Sequence, residues 1–579
     1  MKQGRRRSSV QILKDRKASI LAAQRQELDG VLSSVRSSDP AQTTLTVRDT
    51  TPEWIRSLAT ALQANTVIEQ ISLNKCDMGA ELTEELALAV KTHPALTSLS
   101  MLDNALGDGG AEALGNALKK NKVLQSLYLS SNGIESIGGT KLGKGLKANS
   151  TLRVLYLRRN PIGADGAGAL ADALLQRNTG LETLDLRSCG VGPAGTRLLS
   201  GALKKNKTLT CLFLGGNDLG PEGCALLGGA LKKNKALKTL YMRDNKAGSS
   251  GARALADALK ANSVLETLYL GGNDLGPDGA TFLASALKVN KALTALFVGH
   301  NGMGDTGGVA ICKALQRSTT MKSLNLWGNG LGRGAAEAVG RLLEANDTLE
   351  ILDIGLNVQL GDFGAEVIAE VLPGSKLRSL SLKSTGLRDA GVAALAGALQ
   401  RGAKVDALHL AANNMTDDGA AALGRALGSN PPLRTLNIAM NKFTSEGARM
   451  ILEGMHSNEN LSAIPMRGNT QVSPLLAAEM AAVASSHSRW APLVGCIVPE
   501  EEEAAPEMKA TPAKRSGLGS VAEGTEEDGE EQEEKSEGDE RRAGAGQGLQ
   551  DRAMTSTETE REDTVGARNF AAAKSDASS

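Results

Sequence analysis

The chain has 579 residues, 65 basic and 65 acidic side chains, and a formal charge of zero; only 2% of its residues are aromatic. Neutrality gives no electrostatic footprint for nucleic acid, and no apolar run reaches the length of a membrane span. The six cysteines (Cys76, Cys189, Cys211, Cys224, Cys312 and Cys496) form no close pair, which excludes a zinc knuckle and a dense disulfide framework.

Residues 1–42 are basic and serine-rich at the start, a segment expected to be partly disordered or helical. Met1-Lys-Gln-Gly-Arg-Arg-Arg has no apolar core of a secretory leader. The first fourteen residues lack acids, so an organelle transit peptide stands as a minor alternative to an intracellular, reducing compartment, cytoplasm or nucleus. Arg5-Arg-Arg-Ser-Ser-Val10 and Arg16-Lys-Ala-Ser-Ile20 resemble sites of kinases that prefer upstream basic residues; phosphate there would cut the local positive charge.

Residues 43–498 repeat with a period of 28. Leu45 and Val47 fit a first, atypical strand, and Thr51-Pro52-Glu53-Trp54 reads as a helix start that brings Trp54 and Ile55 over the first full repeat. Anchors then recur from Ile68 and Leu96 to Leu433 and Leu461, with one interval of 29 between Leu152 and Leu181. A clean copy is Leu265-Glu-Thr-Leu268-Tyr269-Leu270-Gly-Gly-Asn273-Asp-Leu275-Gly276. Its alternating leucines predict a short strand with one buried face. The Asn can bond turn backbone with both ends of its amide, as a ladder along the stack, and Cys76, Cys189 and Thr385 replace it in three repeats. Leu-Gly allows a tight bend, Pro193, Pro221 and Pro277 suit a first helical position, and Asp108, Asp165, Glu222, Asp278, Asp418 and Glu446 complement helix N-termini. Residues 357–360 insert one residue into the eleventh repeat, and residues 473–497, with Leu475, Leu476, Met480, Val483 and Trp490, suit a terminal cap. Residues 499–579 are poor in large apolar side chains, and 526–540 hold ten acids against one lysine; this is expected to be a disordered acidic tail.

Fifteen in-phase copies of L-x-x-L-x-L-x-x-N-x-L-G followed by a helical stretch resemble the leucine-rich repeat, in its ribonuclease-inhibitor-like subtype, over about residues 43–495. The resemblance implies an α/β solenoid, a horseshoe of about 15 repeats with parallel strands on the concave face and helices on the convex face. A single repeat cannot bury its leucines alone, so stacking supplies the core.

The slot between the two later leucines of each strand faces away from that core. It holds Tyr128, Tyr156, Asp185, Phe213, Tyr241, Tyr269 and Phe297 in consecutive repeats, then Asn325, Asp353, Ser381, His409 and Asn437. All four tyrosines of the chain are in this slot. The positions before them are small (Ser126, Thr183, Cys211, Thr239, Thr267, Ala295), which predicts accessible rings. Two positions after the slot come Arg158, Arg187, Arg243 and Trp327, with Arg159 beside them; Gly215-Gly216 and Gly271-Gly272 hold that place in two other repeats. Rings with arginines are the residues enriched in binding hot spots. The plain structural alternative is that neighbouring rings stack and shield the sheet. The abrupt end of the rings at Asn325 favours a partner: a protein or peptide on the concave face, its acidic groups met by the arginines. A second expectation is intramolecular, with the acidic tail masking those arginines.

Catalytic constellations are not found. Gly138-Gly-Thr-Lys-Leu-Gly-Lys-Gly145 ends without the Ser or Thr of a phosphate-binding loop and falls where other repeats have their helix. The five histidines (93, 300, 409, 456, 487) are too dispersed to share a metal or a proton. No enzyme activity, cofactor or metal is expected. The resemblance leaves a binding scaffold, similar to ribonuclease inhibitor and the sensing arms of NOD-like receptors, as the first reading. The alternative is a Ran GTPase-activating protein, a family that also joins a repeat crescent to an acidic segment and stimulates a small GTPase. A cytoskeletal or ciliary repeat protein is a third.

Overall fold

The computed structural model describes residues 28–176 and 180–486. They build one open parallel sheet whose fifteen strands follow chain order without a crossover. The strands are β1 (Thr44–Arg48), β2 (Gln70–Asn74), β3 (Ser98–Ser100), β4 (Ser126–Tyr128), β5 (Val154–Tyr156), β6 (Thr183–Asp185), β7 (Cys211–Phe213) and β8 (Thr239–Tyr241). They continue as β9 (Thr267–Tyr269), β10 (Ala295–Phe297), β11 (Ser323–Asn325), β12 (Ile351–Asp353), β13 (Ser379–Ser381), β14 (Ala407–His409) and β15 (Thr435–Asn437). Parallel neighbours need a return element, and one helix per repeat provides it. The result is the expected βα solenoid.

The core lies between sheet and helices. In each strand the leucines on either side of the slot are buried, as at Leu127 and Leu129, Leu212 and Leu214, and Leu268 and Leu270. The helices close over them with Ala and Leu at helical spacing, for example Ala280, Leu283, Ala284 and Leu287 of Gly276–Leu287. The two irregular repeats keep the register. The 29-residue interval is taken up by a longer helix, Gly163–Gln176. The insertion at 357–360 delays its helix to Gly361–Val371, which ends in a 3-10 turn, Leu372–Gly374, so that β13 still pairs in phase with β12. The Gly138–Gly145 string lies inside the helix Ser136–Lys147 rather than in a loop.

Two amide ladders hold the turns. Backbone N–H of Asn104 donates to Oδ1 of Asn132, and that of Asn132 to Oδ1 of Asn160, at 2.8 and 2.9 Å; each Nδ2 donates back to carbonyls of its own and the preceding repeat. Cys189 and Thr385 keep the backbone half of this pattern by donating to Asn217 and Asn413. The second ladder uses the Asn in the turn after most helices, as in Ala230-Leu-Lys-Lys-Asn234. Nδ2 of Asn234 donates to Leu203 O of the preceding repeat, and its Oδ1 accepts from the N–H groups of Ala236 and Leu237.

The helix starts are of two kinds. At most starts a glycine takes the left-handed bend, as Gly276 does at φ +62°. At others a carboxylate from the preceding repeat caps the helix, even after Leu331-Gly332, where Gly332 has φ −122° and Asp305 accepts from Gly334 N and Ala335 N. Asp108 accepts from Glu135 N and Gly138 N, Asp362 from Arg388 N and Gly391 N, and Asp417 from Thr444 N and Gly447 N. Asp108 and Asp418 stand in the first turns of their own helices, as their positions suggested, and Asp108 and Asp417 each cap the helix of the next repeat as well.

At the first end, a helix over residues 28–37 is tied to the helix Pro52–Leu62 and the turn after it: Trp54 Nε1 donates to Leu28 O and Asn65 Nδ2 to Val35 O. Packed structure thus begins before residue 43. Thr51 caps Pro52–Leu62, and Trp54 and Ile55 are buried. At the far end Pro474–Ser486 buries Leu476 and Met480, whereas Leu475 points to solvent, 82% exposed. Trp490, the acidic tail, the arginine-serine strings and Cys496 lie outside the described residues. Among those described, five cysteines are free and buried, and no helix is long and apolar enough to cross a membrane.

Candidate protein-binding face

The strand register puts the slot residues side by side: Tyr128 opposite Tyr156, Tyr156 opposite Asp185, Asp185 opposite Phe213, and so through Tyr241 and Tyr269 to Phe297 and Asn325. Their leucine neighbours on either side are core, so the slot side chains occupy the sheet face opposite the helices.

The rings form a continuous row. Centroids are 5.1 Å apart for Tyr128–Tyr156, 5.9 Å for Phe213–Tyr241, 5.1 Å for Tyr241–Tyr269 and 4.2 Å for the stacked pair Tyr269–Phe297. The row even closes across Asp185, since Tyr156 and Phe213 meet edge-on at 6.3 Å. Such pairs add about 0.5–1.5 kcal/mol each beyond area burial.

Asp185 is not a partner-facing group, as its place in the slot suggested, because its side chain is fully buried. Both its oxygens accept from Arg187 Nε at 3.1 Å, and Oδ2 also accepts from Nη2 at 2.8 Å. That fork lays the guanidinium over two rings, 5.3 Å from the Phe213 centroid and 5.6 Å from that of Tyr241. The one break in the aromatic sequence is therefore the base of a cation held against the aromatic row.

Flanking glycines are the floor for larger neighbours. A Cβ on Gly215 would meet Tyr241 Cε1 at 2.6 Å, and one on Gly355 would meet Trp327 Cδ1 at 2.7 Å. Trp327 lies outside the row: its ring contact is edge-on to His300, at 4.2 Å. Arg243 is nearly buried, with Nε 3.3 Å from Asp244. Arg158 and Arg159 are half-buried beside the start of the row.

Accessibility is less uniform than the small preceding residues suggested. Phe213 and Tyr241 are 7% and 5% exposed, with rings beside them and Arg187 above. Tyr128, Tyr156, Tyr269 and Phe297 remain half-exposed. Burial pushes the Tyr128, Tyr156 and Tyr269 phenols up, so they stay neutral donors.

Beyond Phe297 the face turns polar. Asn325 Nδ2 donates to Asp353 Oδ2 at 3.0 Å, and burial pushes the Asp353 carboxyl up. His409 is 2% exposed, and burial pushes its imidazole down to about 4. Sequence reasoning gave this residue no role beyond excluding a metal, and nothing in its spacing signals the burial. Among the described residues no group of three metal-ligating side chains comes together.

A family model described as "Leucine Rich repeat" matches eleven segments: residues 92–115, 120–143, 148–171, 177–200, 205–228, 261–284, 289–312, 345–369, 375–396, 404–424 and 429–452. No curated protein matches the chain. Among solved structures 182 chains match. One, "Crystal structure of Rad7 and Elc1 complex in yeast", is 15% identical over 81% of this chain and 96% of that chain, with a TM-score of 0.37.

Proposed function

The chain is a leucine-rich repeat protein, and from that premise we propose that it is an intracellular scaffold of the ribonuclease-inhibitor-like kind, which captures a partner protein or peptide on the ring row of its sheet. Leucine-rich repeats imply a protein-interaction scaffold; the choice of face is the finer step. The observation that carries it is the confinement of six contacting rings to β4–β10, while the same sheet runs on to β15 with Asn, Asp, Ser and His in the same slot. Mutual shielding of rings would serve every repeat equally. A hot-spot strip serves the stretch that a partner covers.

The half-exposed rings are the ones to change. A Tyr156→Ala, Tyr269→Ala double variant is expected to lose capture of partners from native extract, with a melting temperature within a few degrees of wild type. Capture unchanged by both substitutions would sink the reading. No residue of the face singles out a small GTPase, so GTP turnover by candidate GTPases is expected to stay at its basal rate. Stimulation abolished by the same variant would instead make the chain a GTPase activator.

A further inference from the structure

The charge on the rim where the helices end is not spread evenly. Lys204 and Lys232 are the C-caps of Gly192–Leu203 and Gly220–Leu231, followed by Lys205 and Lys207 and by Lys233 and Lys235. All of these lysines are exposed, and no acid among the described residues ion-pairs with them; Asp257 feels the charge of Lys232 without forming a contact pair. The carboxylates that share this rim at the strand starts are already matched, Glu182 with Arg153 and Glu266 with Lys238. The uncompensated charge here is positive.

Helix electrostatics account for part of the pattern. A cation at a helix C-terminus is favourable by about 0.3–1 kcal/mol, but the effect fades beyond the last turn. It explains Lys204 and Lys232. It does not explain Lys207 and Lys235, which lie in the turn past the helix, on the far side of the ladder residues Asn206 and Asn234. Nor does it explain why this turn position holds lysine at Lys122, Lys207, Lys235 and Lys291 but Asp347 and Glu459 in two later repeats, where helices of the same kind end. The same Lys-Lys-Asn-Lys string ends the helix before β4, at Lys119, Lys120 and Lys122, but only here do two copies stand in adjacent repeats, those that lead into β7 and β8, the strands of Phe213 and Tyr241 at the middle of the ring row.

We propose that Lys204, Lys205, Lys207, Lys232, Lys233 and Lys235 are the charged half of the partner interface, and take an acidic segment of the same protein that the ring row binds. The inference rests on the ring-row reading and adds the partner's chemistry to it. Carboxylates fit better than a phosphodiester chain. Glu182 and Glu266 are fixed on the same rim, and a nucleic-acid backbone, with a charge at every step, would have to run past them. An extended peptide advances about 3.3 Å per residue, so a short acidic run can meet two adjacent repeats and place uncharged residues at the carboxylates. Lysines on flexible stems also suit carboxylates of unfixed geometry.

The test uses the full chain and a fluorescent polyglutamate peptide as probe, with binding read by polarisation at low and at high salt. Wild type is expected to bind at low salt and weaken as salt rises. The variant K204Q, K205Q, K207Q, K232Q, K233Q, K235Q is expected to lose about tenfold or more in affinity. The matching Lys→Arg variant keeps the charge and should keep the binding, which separates charge loss from misfolding. Tyr156→Ala, Tyr269→Ala should still bind the probe. If that ring variant binds polyglutamate but still captures partners, the ring reading fails while the lysine rim stands. The proposal is overturned if the Lys→Gln variant binds as wild type does. It is equally overturned if duplex DNA or phosphatidylserine vesicles bind in a lysine-dependent way and polyglutamate does not.

Discussion

His93 shows how one substitution in a repeat creates a titratable weak point. Other repeats use Asn at this place, and Asn121 Oδ1 accepts from Val123 N at 2.8 Å and Leu124 N at 2.7 Å. His93 does the same work with Nδ1, accepting from Ala95 N at 3.2 Å and Leu96 N at 3.0 Å. Protonation would remove both acceptor interactions, and burial already holds the imidazole below its ordinary value. The folded state therefore binds the proton less readily than the unfolded chain. Stability from this site is complete above the unfolded value of about 6.5 and is lost as pH falls through it toward the folded value. Thermal unfolding followed from pH 8 to pH 5 should show a smaller loss of melting temperature in His93→Asn than in wild type. Parallel profiles would contradict the account. His409 has the same sign, so the difference between the two proteins is the quantity to read. At this scale the sequence showed which residues share the slot, because a strand has period two and the repeat fixes the register. It could not show that Asp185 is spent on Arg187, or that Phe213 and Tyr241 are covered; both depend on where one guanidinium lies in space.

The helices were legible from their leucine and alanine spacing, but the closeness of their packing was not. In Ser136–Lys147, a Cβ on Gly145 would collide with the backbone of Gly115 in the preceding helix, and one on Gly143 would come 2.7 Å from the carbonyl carbon of Ala169 in the next. Gly424 and Gly454 repeat the arrangement near the far end. Gly201, in Gly192–Leu203, has nothing within 4 Å of such a Cβ. The same change should therefore have opposite signs. Gly145→Ala is expected to destabilise by about 1–3 kcal/mol through overpacking against backbone. Gly201→Ala is expected to stabilise by about 0.5–1 kcal/mol, since an open helical glycine costs that much relative to alanine. Denaturant unfolding of the two variants checks the pair, and two effects of one sign would refute the distinction. The caps teach the same lesson. An acid near a helix start is visible in sequence, but Asp108, Asp362 and Asp417 act across the repeat boundary, on N–H groups 26 to 30 residues away.

Taken whole, the described chain is a single stack with one buried layer throughout and two chemistries on its free sheet face. The stack was legible because fifteen copies of one pattern leave a single way to bury the leucines, and the irregular repeats at 152–181 and 357–360 resolve inside their helices without disturbing the sheet. The division of the free face was legible as well: rings on β4–β10, polar groups from Asn325 onward. What the division is for is the central claim, and it concerns where a partner sits. Hydroxyl-radical footprinting of the protein, alone and with a captured partner bound, reads that position directly, because exposed aromatic side chains label readily. Tyr128, Tyr156, Tyr269 and Phe297 are expected to be protected on binding, with labelling of the β11–β15 strands unchanged. Unaltered labelling of those four rings, with protection confined to the helices or to the polar strands, would contradict it.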